Sequence, residues 1–125
     1  MSLPFWEEKC WGRVMHCFAN EQASVSYLEV VEGNQCSKHY HQERANTFIV
    51  VSGIIAVETW DGFPDVKPNV KLLGESDTFT VPSGVVHQFK VFKSGTLIEV
   101  YHPDRGGKVK LDDIVRLTVG GPIRD

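Results

Sequence analysis

Apolar residues fall along the chain in short runs, many of them β-branched, each ended by glycine, proline or an Asn/Asp turn. That rhythm predicts strands rather than helices. The predicted strands are 12–18, 25–31, 39–41, 47–51, 54–60, 70–73, 77–81, 86–92 and 96–101. Polar Ala19-Asn20-Glu21-Gln22 separates the first two, Asp61-Gly62 is a strong hairpin dipeptide, and Lys93-Ser94-Gly95 reads as a hairpin turn. Segment 63–69 carries Pro64 and Pro68 and reads as a loop. Helix is confined to a turn at 4–9 and another at 111–115, where Asp112 and Asp113 suit a helix N-terminus. Many short strands with Gly/Pro turns predict an all-β sandwich or barrel.

The stretch 33–53, G-N-Q-C-S-K-H-Y-H-Q-E-R-A-N-T-F-I-V-V-S-G, organises the chain. His39 and His41 stand two apart, so in an extended strand both imidazoles project from one face. Same-side neutral imidazoles begin a metal site. A third histidine, His87, follows the tight turn Pro82-Ser83-Gly84, which delivers its strand at a fixed angle.

Composition narrows the alternatives. At 125 residues, 42% hydrophobic and 23% charged, the chain is expected to be one domain over residues 1–125, with a barrel core at about 11–119. A net charge of -3 leaves no electrostatic footprint for nucleic acid. No apolar run approaches the roughly 18 residues of a membrane span. The N-terminus lacks the pattern of a signal peptide, so a cytoplasmic location is expected. Cys10, Cys17 and Cys36 form no C-x-x-C pair and read as reduced thiols, Cys36 as a small buried hydrophobe rather than a ligand. His16 and His102 lie outside the motifs and read as surface or structural residues. Trp6, Trp11 and Trp60 read as core or interface residues, and Lys38 as solvated, with room for a substrate contact.

Gly33-x5-His39-x-His41-x4-Asn46-x6-Gly53 resembles the first cupin motif, and Asp77-x4-Pro82-x-Gly84-x2-His87 resembles the second. The resemblance implies a double-stranded β-helix, the cupin jelly-roll barrel, holding one divalent metal ion such as zinc, nickel, manganese or iron. By position it implies His39, His41 and His87 as ligands. Asn46 stands where cupins usually carry a glutamate ligand, and becomes a direct or water-bridged ligand; Glu43 is an alternative. Trp11-Gly12-Arg13, Arg44-Ala45-Asn46 with Val50-Val51-Ser52-Gly53, Gly74-Glu75-Ser76, Ile98-Glu99-Val100 and Asp112-Asp113-Ile114-Val115-Arg116 resemble the C-terminal domain of type II phosphomannose isomerase/mannose-1-phosphate guanylyltransferase enzymes. In that family the position of His39 is usually glutamine. The nucleotidyltransferase half is absent from this sequence, so guanylyl transfer is not expected.

The resemblance implies a sugar or sugar-phosphate isomerase with a sugar-like small molecule as partner. Arg44 and Arg116 are then the phosphate clamps, because the guanidinium fork makes paired charge-assisted hydrogen bonds. Glu99, mid-strand between apolar neighbours, is the candidate base. Two other classes stay open: an iron-dependent dioxygenase-type cupin, and a non-catalytic carbohydrate-binding or sensing module. Cupins commonly pair through N-terminal strands, so a homodimer covered by Phe5, Trp6 and Trp11 is expected.

Overall fold

The computed structural model describes residues 2–124. Eleven strands form one curled sheet: β1 (Phe5–Lys9), β2 (Gly12–Ala19), β3 (Ser24–Val30), β4 (Asn34–Gln35), β5 (His39–Tyr40), β6 (Arg44–Trp60), β7 (Asn69–Leu73), β8 (Thr78–Val81), β9 (Val86–Pro103), β10 (Val115–Arg116) and β11 (Gly121–Pro122). The architecture is the all-β double-stranded β-helix that the motifs imply. Its spine is the long antiparallel pair β6 and β9, in register from Arg44↔Pro103 to Trp60↔Val86. One end of that pair joins β3, β2 and β1 on one side and β8 on the other. The opposite end joins β7, β4 and β5.

Where separate strands were expected at 47–51 and 54–60, and again at 86–92 and 96–101, the structure has two continuous ones. Gly53 and Gly95 explain the difference. Gly53 has φ 90°, and a Cβ there would lie 2.7 Å from the Lys93 carbonyl oxygen; one at Gly95 would lie 2.1 Å from that of Ser52. The glycines let β6 and β9 bend across each other through bulges while pairing continues, instead of ending in turns.

The predicted helical turn at 4–9 is also corrected: this segment is β1, paired from Phe5↔His16 to Lys9↔Gly12. The edge of β2 offers its backbone groups a ladder, and tertiary pairing overrides a short local preference. Likewise 111–115 forms no helix; a turn leads into β10. No helix among the described residues is long and apolar enough to cross a membrane.

Alternation is cleanest in β3, where Ser24, Ser26, Leu28 and Val30 point inward. Leu28, Phe48, Val50, Ile55, Phe89 and Leu97 lie in the core with them. Trp11 packs edge-on to Phe89 at 5.2 Å between centroids and belongs to this core, not to an exposed N-terminal surface. After β9 the chain returns over the barrel mouth, pairing β10 with β5 and β11 with β4. That strap closes the side where the histidines meet.

Candidate metal centre

Two strands and one turn bring the imidazoles together. His39 is the direct cross-strand partner of His87. His41 follows one residue after β5, and its carbonyl accepts a 2.7 Å hydrogen bond from the Gly84 amide. The Pro82-Ser83-Gly84 turn is thereby docked onto the His39–His41 segment, which sets where β9 begins. Ring centroids are 5.1 Å apart for His39–His41, 4.4 Å for His39–His87 and 5.2 Å for His41–His87. One ring nitrogen from each lies within 4.8 Å of the others, and all three residues are buried.

The hydrogen bonds decide which nitrogen is free. His39 Nδ1 lies 2.8 Å from the Ser37 carbonyl, His41 Nδ1 2.7 Å from that of Asp113, and His87 Nδ1 2.9 Å from that of Val85. A carbonyl only accepts, so each Nδ1 carries the proton and each Nε2 keeps its lone pair. Arg44 Nε also sits 3.3 Å from His41 Nδ1. A nitrogen donating at 2.7 Å has no lone pair for it, so that contact is packing rather than a hydrogen bond. Burial lowers the imidazole pKa of His39 to about 2, with the neighbouring histidines adding to it. His41 is lowered to about 3, by burial and then Arg44, and His87 to about 4, by burial. Three neutral imidazoles with inward Nε2 lone pairs suit a divalent metal. The buried Nε2 of His41 has no hydrogen-bond partner, as expected of a metal-ligand atom, and Oδ1 of Asn46 is likewise buried and unpaired.

Asn46 is fully buried on β6. Its Nδ2 lies 3.5 Å from His87 Nε2 and donates to Glu99 Oε2 at 3.0 Å. Register explains the contact: Asn46 opposes Tyr101, so Glu99, two residues back on β9, reaches the same interior face. A carboxylate absent from position 46 thus enters the site from a neighbouring strand. Burial raises the Glu99 pKa, while the Asn46 hydrogen bond and the nearby Arg44 work against that shift.

Arg44 is buried, donates through Nη1 to the Lys110 carbonyl, and stacks its guanidinium 3.7 Å over the Tyr101 ring. Arg116 opposes His39 on β10 and is exposed. Both line a cavity of about 510 Å³ that also receives His39, Glu99 and Tyr101. Glu43 is corrected as a ligand candidate. It is exposed, and its carboxylate pairs with Lys110 Nζ at 3.2 Å, because the chain leaves the strand after Tyr40 and the alternation stops. Cys36 is buried, with its sulfur accepting from the Phe89 amide at 3.2 Å, outside the imidazole cluster. Lys38 lies over the Trp60 and Phe63 rings at 5.0 and 5.8 Å.

Asp113 and Tyr101 were not singled out from the sequence. The Asp113 carboxylate accepts from the Gln42 and Glu43 amides at 2.7 and 2.9 Å, while its carbonyl orients His41. Burial acts to raise its pKa, but the two amides leave it lowered overall. The D-D-I-V-R match was the available signal. Tyr101 packs on His41 at 5.1 Å and beneath Arg44.

The family model described as mannose-6-phosphate isomerase C-terminal matches residues 7–119. The chain belongs to this family. It is 28% identical over 107 residues to the mannose-1-phosphate guanylyltransferase ManC of Salmonella typhimurium, covering 85% of this chain and 20% of that protein. It is 31% identical over 115 residues to the xanthan biosynthesis protein XanB of Xanthomonas campestris, covering 89% and 23%. The chain therefore spans about a quarter or less of these relatives. Oxalate decarboxylase from Bacillus subtilis superposes with a TM-score of 0.76 at 16% identity, over 92% of this chain and 30% of that one, a likeness of fold.

Proposed function

We propose that this chain is a metal-binding cupin domain acting on a sugar phosphate of the mannose 6-phosphate kind, as an aldose–ketose isomerase. The observation that carries the reading is one cavity lined by His39 of the metal-competent triad, the Glu99 carboxyl and two guanidinium groups. A divalent ion held by His39, His41 and His87, with Asn46 as direct or water-bridged fourth donor, supplies Lewis acidity toward the sugar's carbonyl and adjacent hydroxyl.

The chain's own groups do the rest. Arg44 and Arg116 bind the phosphate, Arg44 from a position preset by Tyr101 and the Lys110 carbonyl. Glu99 takes the proton from the carbon bearing the hydroxyl and returns it to the adjacent carbonyl carbon, while the hydroxyl proton passes to the former carbonyl oxygen. Its pKa, raised by burial, makes it a stronger base than an ordinary carboxylate. Asn46 holds that carboxylate in place. Burial of the triad under the β10 strap limits water at the reacting atoms.

The test is interconversion of mannose 6-phosphate and fructose 6-phosphate by the chain loaded with zinc or manganese under anaerobic conditions. Glu99→Gln should abolish turnover while leaving metal content unchanged. Absence of turnover with every metal, alongside oxygen uptake with ferrous iron, would replace the isomerase with an oxygen-using cupin. Sugar-phosphate binding with neither activity would leave a binding module.

A further inference from the structure

A second polar cluster lines the same cavity, two strands from Glu99. Its residues come from the first three strands. Phe5, Glu7 and Lys9 share one face of β1, with Glu7 exposed at the cavity rim, and Glu7, Lys9, His16 and Ser26 all line the cavity. Register places them in a continuous row: Phe5 opposes His16, His16 opposes Ser26, Ser26 opposes Glu99, and Glu99 opposes Phe48. The row starts at the proposed base and ends at His16, two strands and about 10 Å away. A hexose ring with one substituent spans that distance.

The chemistry of this end differs from the other. His16 Nε2 and Glu7 Oε1 are 2.9 Å apart, and Lys9 Nζ is 3.1 Å from the second Glu7 oxygen. The His16 hydrogen bond, with help from Lys9, holds the Glu7 carboxyl below its usual range. With Nε2 donating to Glu7, His16 Nδ1 is left as an acceptor. Glu7 has spare lone pairs, and the buried Ser26 hydroxyl can donate and accept. Sugar hydroxyls require such paired donors and acceptors, beside apolar faces for the C–H edges of the ring; Phe5, tilted against His16 at 4.8 Å, offers one. His16, read from the sequence as a surface or structural residue, is half-buried and lines the cavity.

We propose that Glu7 and His16, with Ser26, form a subsite that holds hydroxyl groups of a carbohydrate ligand on the β1–β3 side of the cavity, and so determine which sugar binds. This rests on the carbohydrate reading above. It makes Glu7 and His16 specificity residues.

The test is calorimetric titration of wild type, Glu7→Gln, His16→Ala and His16→Gln with three probes: mannose 6-phosphate, mannose and inorganic phosphate. Metal content and unfolding midpoint are measured on each variant. Glu7→Gln and His16→Ala should each weaken mannose 6-phosphate binding about tenfold, leave inorganic phosphate unaffected, and combine to less than the product of their single effects. His16→Gln, which retains a donor toward Glu7, should recover part of the loss. Variants that bind mannose 6-phosphate like wild type, or lose sugar and inorganic phosphate equally, overturn the subsite while the carbohydrate reading stands. Failure of wild type to bind either sugar overturns both.

Discussion

Acidifying the metal-free chain should destabilise it far more than its composition suggests. His39, His41 and His87 are buried neutral, with pKa values lowered from 6.5 to about 2, 3 and 4. Below pH 6.5 the unfolded chain binds protons at these positions and the folded chain does not. Folding stability then falls as pH falls, through the window from 6.5 down to the folded values. At pH 5, 1.5 pH units below the unfolded value, each imidazole has withdrawn about 2 kcal/mol, so the triad withdraws about 6. That is comparable with the whole stability of an ordinary domain, about 5–15 kcal/mol. The assay is urea unfolding after chelation, followed by fluorescence of the buried Trp11 and Trp60 at pH 7.5, 6.5, 5.5 and 5.0. The triple variant His39→Gln/His41→Gln/His87→Gln serves as control and should lose most of the pH slope. Equal stability at pH 7.5 and 5.0, or an undiminished slope in the triple variant, would refute the reasoning. A corollary concerns the metal. Because the folded imidazoles are already neutral, metal binding at pH 6 should release less than one proton from the triad, read by calorimetry in buffers of different ionisation heat.

Asp113→Ala removes both amide contacts and loosens the carbonyl that orients His41. Metal affinity should fall about 10–100-fold by competition with a chelating dye, with only a small change in unfolding midpoint. His41→Ala should remove most bound metal by elemental analysis, whereas Asn46→Ala should leave most of it. Phe48→Ala, at a position 1% exposed in the core, should cost about 3–5 kcal/mol in denaturant unfolding; a smaller loss would mean the site can collapse.

The family and the meeting of three histidines were legible because they rest on local spacing. The i, i+2 rule aligned His39 with His41, and a Pro-x-Gly turn announced His87. Strand continuity was not legible, because Gly53 and Gly95 act as punctuation in isolation and as crossing points only once β6 and β9 lie together. Glu99 could be ranked as a base but not oriented, since its inward direction follows from the register with Asn46 and Ser26. The role of Asp113 was not legible because it reaches His41 through a backbone carbonyl 72 residues away, which no side-chain pattern reports. The pairing of His16 with Glu7 was not legible because β1 was expected to be a helical turn; only as an edge strand does it bring Phe5, Glu7 and Lys9 to the cavity.

Anomalous scattering from crystals grown with stoichiometric zinc tests the central claim most directly. The account predicts one ion with nitrogen ligands at about 2.0–2.1 Å, contributed by Nε2 of His39, His41 and His87, and with Asn46 Oδ1 or a water completing the site. An ion bound through Nδ1, held by fewer than three of these imidazoles, or seated elsewhere in the barrel would contradict it.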